Sequence, residues 1–339
     1  MKFTHLWCTQ RTPLQLAITN RTHGIRWGRG RWVSLLLGLG SLLYLGHEVF
    51  LDRWGEFAGM TWPRGTRWVG PFLGVLMLWP LNWGLEALKW RFLLRRHWSA
   101  PWGQAWRYTL AGTALALWTP GRLGQGMSWL WFMPAAARPY GVAAGLAGAI
   151  VQNLITALVA GAGLAIFLDW EGAAGFHHAA TPVYLPAMGL LLLAAAWAFH
   201  QHRLRLRLWW RKIRGATYLP RYPAADWLVL LLLGALRYST YTLQFVLLCR
   251  GLGVDLPWLD MALRVGMLFA LQGMAPTLAA LEWSVRGSLT MLVFEGADVP
   301  MPFILMASMS LWAINLALPA LWGGALWLRQ GLRPHTTAL

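Results

Sequence analysis

The sequence predicts an all-α polytopic membrane protein, with about six full transmembrane helices and two oppositely oriented re-entrant helical hairpins that together form an inverted repeat. Three observations predict it. Hydrophobic residues make up 57% of the 339 and charged ones only 12%, a composition whose solvent is largely lipid. Apolar stretches long enough to cross a hydrocarbon core of about 30 Å recur along the chain. Finally, two apolar segments share one interrupted layout: Pro101-Trp102 followed by Thr119-Pro120, and Pro257-Trp258 followed at the same distance by Ala275-Pro276.

In chain order, residues 1–32 are a basic, Gly- and Pro-broken segment without the short apolar core and small-residue cleavage site of a signal peptide, so no cleavage is expected. Residues 33–328 form the membrane region. Full spans are expected at 33–51, 69–88, 141–168, 182–199, 226–248 and 303–328, with repeat halves of about 69–168 and 226–328 and a short tail at 329–339. Between them lie 104–137 and 258–296, each apolar but broken near its middle. An arm such as 104–118 reaches only about 22 Å as a helix at ~1.5 Å per residue, which suits a re-entrant hairpin; two short tilted crossings are the alternative.

Charge placement sets the orientation. With a cytoplasmic amino terminus, most of the 29 Lys and Arg fall inside, in 1–32, 89–107, Arg138, 203–221 and the tail. Only Arg53, Arg64, Arg67 and Arg250 fall in outside loops, and Arg122, Arg237, Arg264 and Arg286 fall within apolar segments. Both termini are therefore expected in the cytoplasm, with the chain integral to the cell membrane. The first hairpin then opens inward and the second outward. The basic run at 200–212 alternates with Leu and Trp and fits an anionic leaflet, so the net charge of +17 does not call for nucleic acid. Many of the 25 tryptophans flank the spans, as interfacial anchors do. Cys8 and Cys249 fall on opposite sides, and the loop pairs His177-His178 and His200-x-His202 gather no further ligands, so neither a disulfide, a metal nor another cofactor is expected.

The chemistry concentrates in residues that a membrane excludes unless they face a cavity or a partner. Glu86 shares a helix face with Asn82, and its plain alternative is a pair with Lys89. At the first break, Thr119-Pro120 is a cap and first-turn pair, with Arg122, Gly124 and Gln125 just beyond. A helix starting there would aim free N–H groups and a guanidinium at an anion. At the second, Pro276 precedes Glu282 and Arg286, spaced to pair on one face. Gln152 and Asn153 in span three, Arg237, Tyr238 and Gln244 in span five and Asn315 in span six are candidate polar lining. Inverted repeats with broken helices are a layout of secondary transporters, whose sites lie at the bilayer midplane.

Asn82-x3-Glu86-x3-Trp90-Arg91, then Thr119-Pro120-Gly121-Arg122-Leu123-Gly124, then the proline break leading to Glu282 and Arg286-Gly287-Ser288, resembles the flippase-like family of integral membrane proteins. That family includes the transmembrane region of lysylphosphatidylglycerol synthase. The resemblance covers roughly 30–330 and implies movement of an anionic phospholipid, aminoacylated or not, or of a polyprenyl-phosphate-linked sugar between leaflets. It also implies a separate synthase or glycosyltransferase as partner, and a role in substrate binding for Arg91 as well as the residues above. The chain departs from the family pattern at Gln125 and Trp129, where acidic and basic residues are usual, and at Ala279-Ala280. The 339 residues leave no room for a soluble aminoacyl-transferase domain, so the chain is expected not to be an enzyme. A membrane-embedded lipid-modifying transferase and a non-transporting accessory subunit are the alternatives.

Overall fold

The structure, a computed structural model, describes residues 28–61, 65–119, 124–174, 222–275 and 281–330. The expected span at 182–199, the basic run at 200–212, Pro120, Arg122 and Pro276 lie outside these residues. All regular elements among the described residues are helical. They are α1 (Gly28–His47), α2 (Trp54–Ala58), α3 (Val69–Leu94), α4 (Trp102–Ala116), α5 (Gly124–Phe132), α6 (Arg138–Ala174), α7 (Ala224–Gly251), α8 (Trp258–Met274), α9 (Glu282–Phe294), α10 (Met301–Trp312) and α11 (Leu318–Gln330). Four helical stretches among the described residues are long and apolar enough to cross a membrane: Leu35–Asp52, Ala135–Ala162, Ala224–Gly251 and Met301–Arg329. The second expected span belongs to α3, a 26-residue helix that runs past residue 88 to Leu94 and carries Glu86, Lys89 and Arg91 in its last turns.

Proline starts the helices and interrupts the two broken segments. Pro101, Pro223, Pro257 and Pro300 each precede a helix with extended ψ, and each carbonyl accepts the N–H of a residue in the first turn. Having no N–H of its own, a proline there cannot prolong a helix from the preceding segment. The first broken segment is helical at 102–116 and resumes at 124; the second is helical at 258–274 and resumes at 282. Both interruptions fall where the sequence places them, because a residue before proline is driven out of the α region and the proline removes a helical hydrogen bond. Pro80 leaves α3 unbroken. Pro319 acts differently: it cannot donate to the carbonyl of Asn315, and the turn Ala313–Ala317 between α10 and α11 widens into a π-helix.

The arms of each broken segment pack on each other, α4 on α5 and α8 on α9. Ser128 donates to the Tyr108 carbonyl at 2.6 Å across the first pair, and a Cβ on Gly112 would lie 2.3 Å from the Gln125 carbonyl oxygen, so only glycine allows this approach. The helix contacts also exchange between the halves. α3 packs on α7; α6 packs on α8 as α11 packs on α4; α3 meets α6 as α7 meets α10. Equivalent positions after Pro101 and Pro257 take part in two of these contacts. Leu110 on α4 meets Gly323 of α11, and Gly266 on α8 meets Val159 of α6.

Two buried clusters form the core. One surrounds α4 and α5 and is aromatic, with Trp90 stacked on Trp129 at 5.2 Å and Tyr108 on Phe132 at 4.6 Å. The other surrounds α8 and α9, centred on Phe245, Leu268, Phe294 and Ile304. Asp226 in the first turn of α7 holds Arg95 at 2.7 Å and Arg96 at 3.4 Å, fastening the end of α3 to the start of α7. α1 lies at the edge against α9, where Ser284 and Ser288 donate to the carbonyls of Gly38 and Ser41.

A Cβ on Gly323 would stand 2.1 Å from a backbone oxygen of α4, whereas one on the adjacent Gly324 meets nothing within 4 Å. Gly323→Ala should therefore destabilise the purified protein by about 1–3 kcal/mol, and Gly324→Ala should not, in thermal unfolding followed in detergent.

Candidate functional site

Of the polar residues singled out in the sequence, Asn82, Glu86, Gln152, Arg237, Gln244 and Asn315 come together around the α3–α7 contact. Glu86, buried on α3, forms ion pairs through one carboxylate oxygen, Oε2, with Lys89 of its own helix at 2.6 Å and with Arg237 of α7 at 3.1 Å. The other oxygen, Oε1, accepts the Trp90 indole N–H at 3.2 Å. Arg237 also donates to Gln152 Oε1 of α6 at 3.4 Å and lies over the Trp83 ring at 5.8 Å. The carboxylate thus joins α3 to α7, and Arg237 joins α7 to α6. Lys89, at first sight a surface neighbour, is itself buried, and Gly148 of α6 gives it the space: a Cβ there would be 3.2 Å from Lys89 Cε.

Further along the same contact, Asn82 donates to Asn315 Oδ1 at 2.7 Å, Asn315 donates to Gln244 Oε1 at 3.1 Å, and Gln244 donates to the Val75 carbonyl at 3.0 Å. All three side chains are buried. Asn315 sits in the π-helical turn, where the proline-driven change of pitch turns it inward between α3 and α7. Asn82 and the expected lining residues Gln244 and Asn315 thus spend their amide groups on one another.

On the second broken segment, Arg286 and Glu282 do not pair with each other as their spacing allows. Arg286 is 1% exposed. It donates through Nε to Ser308 at 3.0 Å and through Nη1 to the Tyr241 hydroxyl at 3.2 Å, with its cationic carbon 5.6 Å from the Phe269 ring centroid. Its Nη2 is buried without a hydrogen-bond partner, and among the described residues no carboxylate lies within ion-pair distance. Glu282, also buried, instead accepts a short hydrogen bond from Gln272 of α8, linking the two arms. Ser308 in turn bonds Thr290 at 2.8 Å.

Other expected residues stand apart. Arg91 donates to the Ala100 carbonyl at 3.1 Å and covers the Trp102 ring, so it braces the turn between α3 and α4. Asn153 is exposed, on the side of α6 away from Gln152. Thr119 accepts the N–H of Gly124, the first described residue of α5, at 2.7 Å. Gly124 lies against the Leu115 backbone, and Gln125 meets α4 through its carbonyl. Of the arginines within apolar segments, Arg264 is held near the end of its segment by Asp260 at 3.0 Å and the Val293 carbonyl at 2.8 Å. Tyr241, Phe269, Thr290 and Ser308 were not singled out by the sequence, since a hydroxyl or ring in an apolar helix carries no signal until its neighbour is known. No protein-family model matches the chain, and no curated protein matches it.

The Asn82–Asn315 bond crosses between sequence halves in an apolar setting. A double-mutant cycle of Asn82→Ala and Asn315→Ala should give a coupling energy of about 0.6–1.7 kcal/mol in unfolding measurements, the range of interhelical hydrogen bonds in membranes.

Proposed function

We propose that the protein moves an anionic, phosphate-bearing lipid between the leaflets of the cell membrane. The observation that carries the reading is the state of Arg286: a guanidinium buried in an apolar bundle with no carboxylate beside it among the described residues. An interior cation without a matching anion is costly in a membrane protein and marks a path for an anionic ligand. Arginine suits phosphate because its planar fork offers parallel donors.

Two further features support the reading. The broken segments sit at corresponding places in the two halves and their contacts exchange, as in carriers built from repeats. The residues resembling the flippase-like family include Glu86 and Arg286, both interior here. In this proposal the segments are re-entrant, open to opposite faces, and alternate access for a head group, with both termini cytoplasmic. Arg122, beyond Thr119, supplies a second guanidinium at the first break. A separate lipid synthase or glycosyltransferase would provide the substrate.

In liposomes, with head-group-labelled fluorescent phosphatidylglycerol and an impermeant quencher, the wild-type protein should equilibrate the two leaflets. Arg286→Gln and Arg122→Ala should each slow this at least about ten-fold. Lipid movement no faster than in empty liposomes, or unchanged in both variants, contradicts the proposal.

A further inference from the structure

Resting on that reading, the charge count around Glu86 specifies the substrate further. One carboxylate is shared by two cations, Lys89 and Arg237, so among the described residues the cluster carries one positive charge more than it can neutralise. The two cations are not equally available. Lys89 is enclosed, its side chain 6% exposed and its stem against Gly148. The Arg237 side chain is 20% exposed, its Nε has no hydrogen-bond partner, and it is flanked by the Trp83 ring and by Gln152. Gln152 uses its oxygen on Arg237, which leaves its amide N–H groups to donate to an acceptor at the same place.

We infer that Arg237 and Gln152 form the contact site for a lipid phosphodiester of single negative charge. Such a group makes the cluster neutral. A zwitterionic head group leaves the surplus cation in place, and a diphosphate brings at least one anion too many into surroundings where an unmatched charge is costly. Phospholipids of single net negative charge and polyprenyl monophosphate sugars are both phosphodiesters and meet the requirement equally; polyprenyl diphosphates do not.

The full-length protein in liposomes tests this with four fluorescent lipids: phosphatidylcholine, phosphatidylglycerol, a polyprenyl monophosphate hexose and a polyprenyl diphosphate. The wild type should move one or both of the phosphodiesters with a single net charge about ten-fold faster than the other two, and which one it moves separates the two sources. Glu86→Gln, which adds a positive charge, should shift preference toward the diphosphate by about ten-fold. Lys89→Met, which leaves Glu86 and Arg237 matched, should shift it toward phosphatidylcholine by a similar factor. Opposite shifts are the signature that a general loss of packing does not produce, and if Glu86→Gln fails to fold, Lys89→Met alone decides. Wild-type movement without charge preference, or preferences unchanged or shifted the same way in both variants, overturns the phosphodiester site and leaves the proposed function standing. No movement of any lipid by the wild type overturns both.

Discussion

A carboxylate buried in an apolar bundle is tolerable only if cations come to it, and Glu86 draws two. That requirement fixes much of the surrounding geometry. It sets the rotation of α3, whose polar face carries Asn82 and Glu86 inward, and it brings Arg237 of α7 and Gln152 of α6 to the same place. The tryptophans around it serve the same end: Trp90 donates its indole N–H to the carboxylate while stacking on Trp129, and Trp83 lies beneath the guanidinium. The amide chain from Asn82 through Asn315 to Gln244 continues the contact between α3 and α7 where no charges stand. Because lipid tails are as apolar as leucine, such polar contacts and the close approaches at glycine supply the specificity that burial alone does not.

The two halves repeat their packing but not their chemistry. Gln152 and Ser308 occupy equivalent places after Pro101 and Pro257, and each bonds an interior arginine, Arg237 and Arg286. Arg237, beside Gln152, shares a carboxylate with a lysine. Arg286, beside Ser308, is held by hydroxyls and aromatic faces, and the nearby acid, Glu282, is engaged with Gln272 across the two arms. The interior thus offers cations of two kinds, one partly open and sharing its carboxylate with a lysine, one closed with no carboxylate beside it among the described residues.

Much of this was legible in the sequence. Apolar stretches gave the helices, and the proline pairs placed both breaks, since proline's missing N–H acts locally and needs no tertiary context. Glu86, Arg237, Gln152, Asn82 and Asn315 were recognisable because charge and amide groups are rare in apolar segments. Which of them meet was not legible. The spacing of Glu282 and Arg286 pointed to a pair, yet helix α9 turns the arginine toward Ser308 and Tyr241 and the carboxylate toward α8, a choice made by neighbours far along the chain. Lys89 was weighed as the neighbour of Glu86, but its burial depends on a glycine of another helix. The inward turn of Asn315 depends on a change of helical pitch caused by Pro319. Asn153 and Arg91 have the right residue types and stand apart, because a one-residue step along a helix moves a side chain to another face.

If the cation surplus inside the bundle attracts an anionic lipid, a melting curve of the detergent-solubilised protein reads that attraction directly, because a ligand that binds the folded state raises its unfolding temperature. Titration with phosphatidylglycerol should raise the melting temperature to a plateau, titration with phosphatidylcholine should not, and a protein carrying both Arg237→Gln and Arg286→Gln should lose the response. An equal rise with both lipids, or a phosphatidylglycerol response intact in the double variant, would contradict it.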